Sequence, residues 1–260
     1  MKKIKGFLID LDGVLYLEDQ VIPGAPAAVN WLRRQGFQFR FLTNTTIRSR
    51  DTLIAHLSRF GIKAEPEEMY STAVVAARWL SEKGISRVHL LLTEDAQKDF
   101  SGFEFTEDKP EVVVVGDMGP DFTFDILNRA FLSVKAGARL VALQKNRFWQ
   151  TKNGPAMDAG AFVAALEYAT ETEATLIGKP NRAYFDIALK DIGILPSQAA
   201  MIGDDIHTDI LGAQAVGLRT ILVKTGKYYF DAQTPLPTQP DWLMDSIADL
   251  PGFFDTSVTE

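Results

Sequence analysis

Short apolar runs alternate along this chain with stretches whose apolar positions recur at helical spacing. Phe7, Leu8 and Ile9 predict a buried first strand that runs straight into Asp10. In "PGAPAAVNWLRRQG", Ala28, Trp31 and Leu32 share one helical face and Gly36 marks the stop. "FQFRFLTN" predicts a second strand. Leu53, Ile54, Leu57 and Phe60 then define a helix with Ser49 as its cap and Gly61 as its stop. His56 falls in that helix and is expected to be exposed. A brief strand, "MYST", leads into the helix "AVVAARWLSEKG". "VHLLLT" and "EVVVVGD" read as strands, and the four valines of the second imply burial on both faces. The helix "FTFDILNRAFLSVKAG" and the strand "ARLVALQ" follow.

"KNRFWQTKNGPAMDAG" has no clear period and reads as irregular. Beyond it come the helix "AFVAALEYAT", the segment "ATLIGKP", the helix "NRAYFDIALKDIG", the strand "AAMIGDD", the helix "TDILGAQAVG" and the strand "RTILVKTG". "TPLPTQPDW" reads as a proline-rich surface connection. This alternation predicts an α/β fold with a doubly wound, Rossmann-like parallel sheet.

Composition narrows the picture. At 260 residues and 46% hydrophobic content, the chain can bury a sizeable core. A net charge of -7 argues against a general nucleic-acid binder. Cysteine is absent, which excludes disulfides and thiolate chemistry. The apolar run after "MKKIKG" is too short for a signal-peptide core. No apolar segment approaches the roughly 20 residues needed to span a bilayer, so a cytoplasmic protein without membrane contact is expected.

Four polar patches each follow an apolar strand: Asp10-Leu11-Asp12-Gly13, Thr43-Asn44-Thr45-Thr46, Gly178-Lys179-Pro180 and Gly203-Asp204-Asp205. Alone, each has a plain reading as a turn or a helix cap. In an open α/β sheet, however, the carboxyl ends of the strands line one crevice, so the four would converge. Their carboxylates suit Mg²⁺, and the lysine and hydroxyls suit a phosphoryl group. A carboxylate can also act as a nucleophile. Elsewhere, Lys145, Arg147, Trp149 and Lys152 make a basic and aromatic stretch that could face an anionic substrate. The competing reading is that the aromatics pack internally and the bases are solvated. His207 sits beside the fourth patch, where a place at the start of a helix is expected.

The strand followed by Asp-x-Asp-Gly, Thr43 with Asn44, Lys179 in "IGKPN", and Gly203-Asp204-Asp205 through Asp209 resemble the four motifs of the haloacid dehalogenase superfamily of phosphatases. More than 130 residues separate Thr43 from Lys179, similar to the sub-class with a large α/β cap between the second and third motifs. The resemblance implies a core of residues 1–77 and 176–260 and a cap of residues 78–175. It implies that Asp10 attacks phosphorus to form an aspartyl-phosphate and that Asp12 shuttles the proton. Mg²⁺ would bind the Asp10 carboxylate, the Asp12 carbonyl and Asp204. Thr43 and Asn44 would hold phosphate oxygens, Lys179 would balance charge, and Gly13 would let the backbone approach phosphate. Asp205 and Asp209 would orient metal waters or Lys179. The cap type is compatible with a homodimer. A phosphoryl-transferring mutase, and a non-catalytic binding or regulatory protein on the same fold, remain alternatives to a phosphatase of small phosphorylated compounds.

Overall fold

In a computed structural model, residues 4–151, 154–228 and 237–257 are described. Lys152 and residues 234–236 of the proline-rich loop lie outside them. The chain forms two compact units. The first holds the residues up to Thr43, Ile54–Tyr70 and the residues from Lys179 on; the second holds Asn44–Leu53 and Ser71–Gly178.

The elements run in chain order as follows. Strand β1 (Gly6–Asp10) leads to a small hairpin of β2 (Tyr16–Leu17) and β3 (Gln20–Val21). Helix α1 (Ala25–Arg34), β4 (Gln38–Thr43), α2 (Arg50–Arg59), β5 (Met69–Ser71) and α3 (Thr72–Glu82) follow. Next are β6 (Arg87–Leu91), α4 (Glu94–Gln97), β7 (Glu104–Phe105), β8 (Val112–Val115), α5 (Phe124–Lys135) and β9 (Arg139–Ala142). A second hairpin, β10 (Phe148–Thr151) and β11 (Gly154–Met157), precedes α6 (Ala159–Thr170) and β12 (Thr175–Leu176). The chain then gives α7 (Arg182–Ile192), β13 (Ala199–Gly203), α8 (Gly212–Val216), β14 (Arg219–Val223) and β15 (Trp242–Met244).

The first unit is built on the sheet β15-β14-β13-β1-β4-β5. β1 pairs in parallel with β4 on one side and β13 on the other, with Gly6 opposite both Gln38 and Ala199. Phe7, Leu8 and Ile9 are fully buried, as a central strand covered on both faces requires. The chain fills one side of β1 first and returns on the other, so a topological switch lies beside β1. The carboxyl ends of β1, β4 and β13 therefore open on one crevice. Below the sheet, Phe7, Phe37, Trp31 and Phe254 form an aromatic cluster with centroids 5.2–6.2 Å apart.

The second unit has its own sheet, β12-β9-β8-β6-β7, with parallel pairing throughout. Val112–Val115 are buried at every position. Ala130 and Val134 of α5 and Val163 and Leu166 of α6 pack on Val113 and Val115.

Three local expectations are corrected. The stretch after β9 is not irregular but contains the antiparallel hairpin β10–β11, with Trp149 opposite Ala156. Its Pro155 fits because the hairpin has two strands only, and both are edges. Phe148 and Trp149 are 52% and 42% exposed, so they do not pack a core. His56 is not exposed but buried: its Nε2 lies 3.3 Å from the Glu18 carbonyl, and its ring meets Tyr16 and Phe60 edge-on at 4.8 Å. The β2–β3 hairpin supplies that cover, which helical periodicity cannot reveal. "TDILGAQAVG" is not one helix: Ile206–Leu211 forms a wide turn in which the Asp209 and Ile210 amides both donate to the Asp205 carbonyl, and α8 begins only afterwards.

Candidate active site

The backbone turns sharply after β1. The Val14 and Leu15 amides donate to the Leu11 carbonyl, and the Gly13 amide donates to the Tyr16 carbonyl at 2.7 Å. Leu11 is buried between two acids with opposite surroundings: Asp10 is 7% exposed, and Asp12 faces solvent. Gly13 has a φ of 78°, a conformation natural to glycine.

Lys179 follows Gly178, the last residue of the second unit, and itself belongs to the first. Its ammonium is buried, 2.7 Å from Asp10 Oδ1, 2.7 Å from Asp209 Oδ1 and 3.3 Å from the Leu42 carbonyl. Burial opposes its charge, but Asp10 and Asp209 outweigh burial and hold its pKa above the usual lysine value. Thr43, also buried, ends β4, and its carbonyl accepts the Tyr184 hydroxyl at 2.9 Å. Asn181 caps α7 by accepting the Ala183 amide, which places Tyr184 in the first turn beneath that strand end.

The loop after β13 supplies three acids. Asp205 Oδ1 accepts the His207 and Thr208 amides at 2.9 and 3.0 Å and caps the wide turn. Asp209 reaches inward over Gly203, where any Cβ would sit 2.3 Å from its carboxylate. Asp209 Oδ2 also accepts the Asp205 amide. Asp204 Oδ2 accepts the Lys227 amide at 2.7 Å, and Lys227 Nζ lies 2.8 Å from Asp205 Oδ2. Burial raises the pKa of Asp10, while Lys179 pulls it back. Burial, then Asp10 and Asp209, raise Asp204 well above the carboxylate range. Burial pushes Asp209 up to about 7 against the pull of Lys179. Asp205 behaves oppositely. Burial would raise it, but Lys227 and the two amides bring it to about 2.

Oxygens of Asp10, Asp204 and Asp209 lie within 4.8 Å of one another. Four carboxylates, those of Asp10, Asp204, Asp205 and Asp209, here face two ammonium groups, those of Lys179 and Lys227. A buried excess of hard oxygen donors, with the proton affinities of Asp10, Asp204 and Asp209 raised, fits a divalent cation such as Mg²⁺. Asp209 belongs to this geometric cluster, but its Oδ1 already faces Lys179.

Among the residues expected from sequence, Asp10, Asp12, Gly13, Thr43, Lys179, Asp204, Asp205 and Asp209 all fall in the first unit. Asn44, Lys145 and Arg147 fall in the second. There Asn44 adjoins Gly178, and Lys145 pairs with Glu167 at 2.8 Å. Arg147 is exposed. Lys227, beside Asp204 and Asp205, and Tyr184, on the Thr43 carbonyl, join the candidate site without having been expected from the sequence. Lys227 lies in the turn after β14, beyond the Lys224 that directly follows the strand, so the sequence signal for it is the strand-end turn as a whole.

Two family models match: haloacid dehalogenase-like hydrolase over residues 7–106 and HAD-hydrolase-like over residues 176–250. The chain is 42% identical over 227 residues to the bovine (Bos taurus) haloacid dehalogenase-like hydrolase domain-containing protein 2, covering 87% of this chain and 86% of that one. It is 38% identical over 232 residues to the phospholysine phosphohistidine inorganic pyrophosphate phosphatase of Xenopus laevis, covering 86% and 85%. Among solved structures, it is similar to a p-nitrophenyl phosphatase from Archaeoglobus fulgidus, with a TM-score of 0.90, 27% identity and coverage of 96% and 99%. With its parallel-sheet fold and strand-end acids, the chain belongs to the haloacid dehalogenase-like hydrolase family.

Proposed function

We propose that this protein is a Mg²⁺-dependent phosphatase that hydrolyses small phosphorylated compounds through an aspartyl-phosphate on Asp10. One observation carries the reading: Asp10 is buried and ion-paired with Lys179 in a cluster of acids, while Asp12, two residues on, faces solvent. The two carboxylates therefore have different environments, which is what separate nucleophile and proton-shuttle roles need. Relatives named as phosphatases support phosphatase activity as such.

In this reading Lys179 holds Asp10 Oδ1, leaving the other carboxylate oxygen to attack phosphorus. The bond from phosphorus to the leaving oxygen breaks as Asp12 gives that oxygen a proton. Asp12, now ionised, takes a proton from water, which attacks phosphorus and releases phosphate and free Asp10. The Thr43 hydroxyl and Asn44 hydrogen-bond phosphate oxygens, and Lys179 offsets their charge. Asp10, the Asp12 carbonyl and Asp204 hold Mg²⁺, with Asp209 keeping Lys179 in place and Asp205 orienting its surroundings. The metal, when bound, supplies charge neutralisation that lets two anions approach. Gly13 keeps the backbone free of a side chain beside Asp204. The inserted segment, about residues 78–175, serves as the cap that selects substrate, with Lys145 and Arg147 as its cationic contacts to an anionic substrate, and it supports a homodimer.

The test is Mg²⁺-dependent phosphate release from 4-nitrophenyl phosphate, with Asp10→Asn as the blank. Release by the native protein and none by the variant is the expected outcome. Full turnover by Asp10→Asn would sink the nucleophile assignment. Transfer to an acceptor without release would mark a mutase instead, and inertness a binding protein. A kinetic screen of phosphorylated metabolites then identifies the substrate.

A further inference from the structure

The turn after β14 closes on the acidic site. The Thr225 hydroxyl donates to the Gly13 carbonyl, which ties this turn to the loop after β1. Gly226, with a φ of 58°, and Gly13 flank the Asp204 carboxylate, and a Cβ on either would sit 2.0 Å from Asp204 Oδ2. The same oxygen accepts the Lys227 amide. Backbone alone therefore fixes Asp204 from this side.

The Lys227 side chain does something separate. Asp205 is held on Oδ1 by two amides and on Oδ2 by the Lys227 ammonium. Without the ammonium, the two amides still place Asp205, but its charge is no longer offset.

We propose that Lys227, ion-paired with Asp205, sets by its charge the balance of the site between metal and phosphate. Its ammonium repels the divalent cation and attracts the phosphoryl dianion, so it trades metal affinity for substrate affinity. The inference rests on the phosphatase reading above.

The experiment is calorimetric titration of MgCl₂ into metal-free protein, and of inorganic phosphate into Mg²⁺-saturated protein. Lys227→Met is expected to bind Mg²⁺ about three- to tenfold more tightly and phosphate about three- to tenfold more weakly, as removal of one partly screened charge implies. Lys227→Arg should stay within about twofold of the native protein for both ligands, because the charge is kept. A purely structural role would weaken both. Any pattern in Lys227→Met other than opposite shifts overturns the proposal. Gly226→Ala should lose Mg²⁺, because its Cβ displaces Asp204; native Mg²⁺ affinity in that variant would overturn the clasp around Asp204. A native protein that neither binds Mg²⁺ nor hydrolyses 4-nitrophenyl phosphate brings down the phosphatase reading itself. A native protein that does both, beside an unchanged Lys227→Met, brings down only this inference.

Discussion

Replacing Lys179 with methionine keeps most of the side-chain volume and removes a charge 2.7 Å from both Asp10 and Asp209. The packing loss should stay below about 1.5 kcal/mol. Removing one partner of a buried pair costs about 3–5 kcal/mol, because the remaining charge has no counterion. Here two carboxylates are left, and each can escape by binding a proton. Asp209 already sits at about 7 with Lys179 present, so loss of the lysine raises it further. A carboxyl whose folded pKa exceeds its unfolded value binds protons preferentially when folded. Its stability contribution is complete below the unfolded pKa and is lost as pH rises through the folded one. The penalty for Lys179→Met should therefore be about 3–5 kcal/mol at pH 8 and only about 1–2 kcal/mol at pH 5. Urea unfolding in EDTA at both pH values measures it. A penalty below about 1 kcal/mol at pH 8, or one larger at pH 5 than at pH 8, would refute the charge arrangement. The specificity constant for 4-nitrophenyl phosphate should fall by about a thousandfold, or about 4 kcal/mol of transition-state stabilisation.

Three further outcomes are expected. Tyr184→Phe deletes the hydroxyl that reaches the Thr43 and Tyr70 carbonyls at 2.9 and 2.5 Å, and should cost about 1–3 kcal/mol in urea unfolding; native stability would contradict a buried donor there. Gly13→Ala forces a left-handed alanine, at about 1–2 kcal/mol, and puts its Cβ against Asp204, so Mg²⁺ binding by calorimetry should disappear. Asp99 is raised to about 6 by burial, against the Arg50 amide bond, so native stability should fall as pH rises from 4 to 6. With partial solvent screening, Asp99→Asn should gain about 1–2 kcal/mol on the native protein between pH 4 and pH 7, and parallel pH profiles would show that the shift is absent.

Much of the site was legible because parallel strands end together. Asp10, Thr43 and Asp204 each follow an apolar run, and the runs became neighbouring strands β4, β1 and β13. What was not legible has a common cause. His56 is buried by a hairpin formed far upstream, and Phe148 with Trp149 lies on a hairpin whose alternation is interrupted by lysine, asparagine and proline. The wide turn before α8 reflects Asp209 seated over Gly203, a contact that "TDILGAQAVG" does not encode as a period. Among the described residues, no helix is long and apolar enough to cross a membrane.

Periodicity and strand-end chemistry were enough to predict the α/β class, the strand that ends at Asp10, and the acids, hydroxyls and lysine gathered at the strand ends, because burial patterns are local properties of the chain. Which charges meet is different. Asp10 and Lys179 are 169 positions apart, and Asp204 meets the Lys227 amide only because β13 and β14 pair. The protonation of each acid depends on that company and on its depth from water. Tertiary pairing therefore decided which acid is buried, which one faces solvent, and which lysine answers each.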